Sequence, residues 1–179
     1  MKLLIIYGTT EGQTRKIAHF MEAILQNSGH QVTIADTTAE PPAPKGYDAI
    51  LIGSSIHMHK YQSAVKHYIK KHLLDLNKIP GAFFSVSLAV ASGLEDEHRE
   101  VQKITTDFLE QTGWKPLMTS QIAGALKYTE YDYFKRLIMK MISKKEGGAT
   151  DTSRDYEYTN WDEVTKFTNE FVNKISKKS

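Results

Sequence analysis

Leu3, Leu4, Ile5 and Ile6 are consecutive rather than alternating with polar residues. That predicts a strand over Lys2–Tyr7 covered on both faces, as in a parallel sheet. From Gly12 to Asn27 the period changes. Ile17, Met21, Ile24 and Leu25 fall on one helical stripe, and Ser28-Gly29 ends it with a glycine suited to a left-handed cap. Gln31–Ala35 reads as a second strand, Pro41, Pro42 and Pro44 as a surface loop, and Asp48–Gly53 (DAILIG) as a third strand. Helical spacing returns over Ala64–Leu76 through Val65, Tyr68, Ile69, Leu73 and Leu76. Gly81–Leu88 is the fourth strand and Leu117–Ala125 the fifth. Between them Leu94–Thr112 forms a helix with Val101, Ile104, Phe108 and Leu109 inward. The last helix, Asn160–Ile175, carries Trp161, Val164, Phe167, Phe171 and Ile175 on one side. Thr159 or Asn160 caps it, with Glu163 in the position a capping box uses.

This alternation predicts an α/β protein: one doubly wound, five-stranded parallel sheet with helices on both faces, over a single domain spanning 1–179. Ligands of such sheets sit beyond the carboxyl ends of the strands. The loops after strands one, three and four are therefore where chemistry is expected. One segment exceeds the pattern. Residues 126–159 separate strand five from the last helix, far more than the ~2–6 residues of an ordinary connection. Within this insert, Tyr131–Lys145 reads as an additional helix, with Phe134, Leu137, Ile138, Met141 and Ile142 on a stripe and Lys135, Arg136, Lys140, Lys144 and Lys145 around it. It reads either as a helix packed on the core with a solvated basic face or as a surface helix meeting anionic lipid.

Composition narrows the function classes. The 179 residues contain no cysteine, which excludes disulfides, thiolate catalysis and cysteine-based metal sites. A net charge of +2 gives no nucleic-acid footprint. The apolar start is too short for a leader, and no stretch approaches the ~20 apolar residues of a membrane span. A cytoplasmic location is expected.

The loop Gly8-Thr9-Thr10-Glu11-Gly12-Gln13-Thr14 opens the first helix. Amides at a helix start lack partners, glycine admits close approach, and threonine hydroxyls add donors. Thr9, Thr10, Gly12, Gln13 and Thr14 can wrap a phosphate; the other reading is a turn with Thr10 as N-cap. The loop lacks both the lysine of GxxxxGK[ST] and the spacing of GxGxxG. Neutral donors would therefore hold a monoester, and Asp36 is a solvated loop acid. Strand three leads into Gly53–Tyr61 and strand four into Ser85–Ala89. Both offer small or hydroxyl residues with apolar flanks, as a flat aromatic ring requires. His57 and His59 in a loop, and His67 and His72 five apart on a helix, lack metal-ligand spacing, so no metal is expected. His57 and Tyr61 read either as ring neighbours or as a solvated histidine and a packing tyrosine.

TxxGxT after strand one, a glycine-ended third strand and the fourth-strand loop resemble flavodoxins, which bind FMN with these three loops. SSIHMHKYQSAVKHYIKKH, AFFSVSL, AGALKY and GGATDT…YTNW further resemble the flavodoxin-type protoporphyrinogen dehydrogenases that pass electrons to menaquinone, over Lys2 to about Phe171. The resemblance implies strand order 2-1-3-4-5 and an FMN phosphate held by Thr9, Thr10, Glu11, Gly12, Gln13 and Thr14. It implies an isoalloxazine bordered by Ser54, Ser55, Ile56, His57 and Tyr61. Ser87, Leu88 and Ala89 would meet its pyrimidine edge, with Gly124, Ala125 and Leu126 on the rim and residues 147–152 returning to it. Lys127, Tyr128, Lys135, Arg136 and Lys140 would meet substrate propionates or an anionic membrane surface. Members of the family can carry Arg where this chain has His57, and Ala89–His98 is less basic than their loop. The implied activity is oxidation of protoporphyrinogen IX to protoporphyrin IX in haem biosynthesis. Flavin N5 would carry the chemistry, electrons would pass to a membrane quinone, and the protein would be peripheral on the inner face of the cell membrane. A flavodoxin-type electron carrier and a flavin-dependent NAD(P)H:quinone reductase are the competing readings. The carrier reading expects a strongly acidic surface, whereas the sequence pI is about 8.6.

Overall fold

The computed structural model describes residues 1–126 and 156–177. The insert helix expected over 131–145, the return through 147–152, and Lys127, Tyr128, Lys135, Arg136 and Lys140 lie outside the described residues. In chain order the elements are β1 (Lys2–Gly8), α1 (Gln13–Asn27), β2 (Gln31–Asp36), β3 (Ala49–His57), β4 (Lys60–Tyr61), α2 (Ser63–Lys71), α3 (Leu73–Leu76) and β5 (Gly81–Ser87). They continue with α4 (Leu88–Ala91), α5 (Glu95–Thr112), β6 (Met118–Ala123), β7 (Ala125–Leu126), β8 (Tyr156–Glu157) and a final helix, α6 (Trp161–Ser176).

The long strands pair in parallel in the order β2-β1-β3-β5-β6. This is the expected 2-1-3-4-5 arrangement, since β5 and β6 are the fourth and fifth strands foreseen and β4 is a short additional one. Consecutive apolar residues in β1 serve both faces. Leu3 and Ile5 pack with Ile17, Met21, Phe167 and Phe171 under α1 and α6. Leu4 and Ile6 pack with Val65, Ile69, Phe83 and Phe108 under α2 and α5. Gly29, at φ 82°, ends α1, and Asn160 caps α6 by accepting from the Asp162 and Glu163 amides at 3.1 and 3.3 Å.

Three boundaries differ from expectation. Ser54–His57 form strand, not loop. Ser54 pairs with Gly8 and Ser85, and Ser55 with Val86. Beyond the sheet, Ile56 and His57 pair antiparallel with Tyr61 and Lys60. The intervening Met58 and His59 both have positive φ, 49° and 62°, as a tight hairpin turn demands. The helix over 64–76 breaks at His72 (φ −111°, ψ 16°) into α2 and α3. Strand four stops at Ser87, whose hydroxyl accepts from the Ala89 amide at 3.1 Å and starts α4. β7 and β8 pair antiparallel, Ala125 with Glu157 and Leu126 with Tyr156.

Gly53 sits where β3 crosses the Phe84 ring; a Cβ there would lie 2.0 Å from Phe84 Cζ. Gly53→Ala is expected to lower unfolding stability by about 1–3 kcal/mol, measured by denaturant titration.

Candidate functional site

At the carboxyl ends of β1, β3, β5 and β6 lies an open cleft. Its floor is the β1–α1 junction: Thr9, Thr10, Glu11, Gln13 and Thr14. The end of β3 contributes Ser55, Ile56 and His57 to one wall. Val86, Ser87 and Leu88 form the opposite wall, and Gly124 and Ala125 the rim.

The junction is rich in donors. Gly12 occupies the N-cap position at φ 93°, and no side chain caps α1. Thr10 is therefore not the cap of that helix. Thr9 Oγ1 accepts the Gly12 amide at 2.8 Å, which folds the loop tightly and leaves the Thr9 hydroxyl proton available to the cleft. Thr14 is fully buried, and its Oγ1 has no hydrogen-bond partner. A buried hydroxyl left without a partner costs about 1–3 kcal/mol, so its position on this floor suits an oxyanion that accepts from it. The nearby cations turn elsewhere: Arg15 reaches Asp36 at 3.8 Å and Lys16 pairs with Glu157. Beside the Glu11 carboxylate, the floor thus presents neutral donors and the positive end of α1, and these donors fit a phosphate monoester.

The junction is braced from the chain's far end. Gln13 Nε2 donates to Thr159 Oγ1 at 2.8 Å, and Thr159 donates in turn to the Ala123 carbonyl at 2.8 Å. Lys16 beside Glu157, helped by the Trp161 indole N–H at 2.9 Å, holds the Glu157 carboxyl below the ordinary range. On the rim, Gly124 donates to the Ser87 carbonyl and accepts from the Tyr158 amide, each at 3.1 Å.

Some expected residues lie off the cleft. Ser54 is buried and donates to Gln62 Oε1 at 3.1 Å. Ala89 is buried in α4, its amide engaged by Ser87. The Tyr61 hydroxyl is hydrogen-bonded to Ser85 and Thr105, both at 2.8 Å, and its ring packs on Phe83 and Phe108. Burial pushes its phenol upward. Tyr61 is thus a packing residue on the α5 side. Gly12 shapes the loop without lining the cleft. The backbone of Leu126 joins the β7–β8 pair. His59 pairs with Glu100 at 2.8 Å, while His67 and His72 line a separate groove beside α2. Asp36 accepts from the Thr38 amide and hydroxyl at 2.9 and 2.8 Å.

Val86, within the Ser85–Ala89 stretch expected to meet a ring, lines the wall. One residue escaped the sequence reading. Gln62 follows the hairpin with no periodic signal, yet its amide bonds to Thr10, Ser54 and Ser55.

Comparison with known proteins places this geometry. A family model described as "Flavodoxin domain" matches residues 4–153. A protein of Escherichia coli strain K12 named protoporphyrinogen IX dehydrogenase (quinone) is 38% identical over 178 residues, covering 99% of this chain and 98% of the relative. A protein of Leishmania major with the same name is 33% identical over 178 residues, covering 96% of this chain and 74% of the relative. Among solved structures, oxidised Flavodoxin 1 from Bacillus cereus superposes with a TM-score of 0.60 at 14% identity, covering 97% of this chain and 98% of that one. That likeness shows a shared fold.

Thr14→Val removes the orphaned hydroxyl while keeping its shape. The ligand-free protein should gain about 1 kcal/mol of stability, measured by thermal unfolding. Affinity for a phosphate monoester such as FMN should fall about 10- to 100-fold, measured by titration calorimetry.

Proposed function

The chain belongs to the flavodoxin-domain family, and we propose that it oxidises protoporphyrinogen IX to protoporphyrin IX, with FMN as cofactor and a quinone as electron acceptor. The observation that carries the cofactor is the fully buried, unpartnered Thr14 hydroxyl on the floor of a three-loop cleft. The substrate and acceptor are supported by relatives of that name, one of them 38% identical over nearly the whole chain.

In this reading Thr9, Thr10, Gln13 and Thr14 hold the phosphate through neutral hydroxyls and helix-start amides. Ser55, Ile56 and His57 border one side of the ring, and Val86, Ser87 and Leu88 the other. When bound, the flavin supplies the redox centre, and the protein supplies position and electrostatics. The Ser87 hydroxyl accepts from the Ala89 amide, so its own proton is free for the ring edge. Full oxidation needs repeated rounds of hydrogen removal, so the substrate side of the cleft must stay open to exchange. Residues 126–159 form an insertion within a single domain in this account, with the β7–β8 pair at its neck.

We further propose menaquinone as the acceptor and an anionic membrane surface as the place of transfer. Among the described residues no helix is long and apolar enough to cross a membrane. Residues 57–78 carry Lys60, Lys66, Lys70, Lys71 and Lys78 against one acid, Asp75. Met58 and Leu74, 67% and 80% exposed, belong to the same segment. A segment that exposes both basic and apolar groups suits an anionic lipid interface.

Anaerobic protoporphyrinogen should bleach the yellow colour of the FMN-loaded protein, followed by absorbance. Bleaching by NADPH alone, with none by protoporphyrinogen, would favour the reductase reading. In co-sedimentation, vesicles containing phosphatidylglycerol should retain the protein and pure phosphatidylcholine vesicles should not. Lys70→Gln with Lys71→Gln should weaken that retention about 30-fold, at ~1 kcal/mol per lysine; unchanged retention would move the membrane contact elsewhere.

A further inference from the structure

We infer that Gln62 is a positioning residue that fixes the direction of the cleft's hydroxyl donors, a role that rests on the FMN reading above. Gln62 precedes α2 and does not itself line the cleft. Its Nε2 donates to Thr10 Oγ1 and to Ser55 Oγ, both at 2.9 Å. Its Oε1 accepts the Ser54 hydroxyl at 3.1 Å. Gly8 leaves the room for this arrangement, since a Cβ there would stand 2.3 Å from Gln62 Oε1. One side chain therefore joins the phosphate loop to the ring-side strand.

The consequence lies in the count of protons. Each hydroxyl has one proton and can also accept. Thr10 and Ser55 both accept from Gln62, so their own protons are left for other acceptors. Both residues line the cleft, where an anion or a ring carbonyl can receive those protons. Gln62 uses both of its amide protons to make these two hydroxyls donors. In this orientation the carbonyl end accepts the Ser54 hydroxyl. The reversed amide would accept from Thr10 and Ser55 and withdraw their protons from the ligand.

Gln62→Glu and Gln62→Met separate this role from packing. A carboxylate of nearly the same shape can only accept, so it would capture the Thr10 and Ser55 protons and place a negative charge behind the phosphate. Methionine removes the donors without adding charge. Binding of FMN and of riboflavin, which lacks the phosphate, would be measured on the full chain by flavin fluorescence quenching. Thermal unfolding of each variant would verify folding. Near pH 8, Gln62→Met should lose about tenfold in FMN affinity and Gln62→Glu about 100-fold, with smaller losses for riboflavin. Relative to wild type, Gln62→Glu should recover FMN affinity towards about pH 4.5, as its carboxyl regains a proton to donate; Gln62→Met should not. The proposal is overturned if both variants bind FMN like wild type. Equal losses for FMN and riboflavin, independent of pH, would overturn it too, because packing alone would then suffice. Failure of the wild-type protein to bind FMN would overturn the cofactor reading and this role with it; binding by wild type with unaffected variants would overturn only the role.

Discussion

An excess of hydrogen-bond donors over acceptors at the β1–α1 junction is the constraint around which the cleft is organised. The first amides of α1 have no side-chain cap. The Thr14 hydroxyl is buried without a partner. A fold tolerates unmet donors in its interior when a ligand supplies what the chain withholds. Arg15 and Lys16, the cations in the first turn of α1, pair with Asp36 and Glu157. The junction therefore attracts an anion through dipoles rather than through a formal charge, which favours a small oxyanion held at close range over a diffuse polyanion.

The rest of the structure supports that junction. Continuous apolar residues in β1 bury it between two helical layers, giving the loop a rigid base. Gln62 ties the loop to β3. Gln13 and Thr159 tie it to the segment entering α6. The Lys16–Glu157 pair and the Trp161 indole hold β8, the return from the insert, beside the start of α1. These bonds tie the start of α1 to β8 and the segment that enters α6.

Much of this was legible in the sequence because it depends on local patterns. Leu3–Ile6 could only be a doubly covered strand, the stripes of α1, α5 and α6 follow one period, and Asn160 sits where a cap must. Thr9–Thr14 are contiguous, so their convergence needed no knowledge of the fold. What stayed hidden depends on partners far along the chain. β3 runs on to His57 because Ser54 and Ser55 find ladder partners in β5, and because Met58 and His59 take a turn that lacks the usual glycine or asparagine signal. Tyr61 faces Phe83 and Phe108 rather than the cleft because the two-residue β4 turns its ring to the α5 side. Nothing in the neighbourhood of Gln62 announces bonds to residues on two other elements.

The central claim is that neutral donors grip a phosphate monoester as its dianion. Phosphorus NMR of the FMN-loaded protein across pH tests it most directly. Free phosphate monoesters take up a proton near pH ~6. If the junction holds the dianion through hydroxyls and amides, that protonation is suppressed, and the bound resonance should stay at its dianion position through this range. A bound resonance that titrates like free FMN would mean that the phosphate lies in solvent and the junction does not hold it.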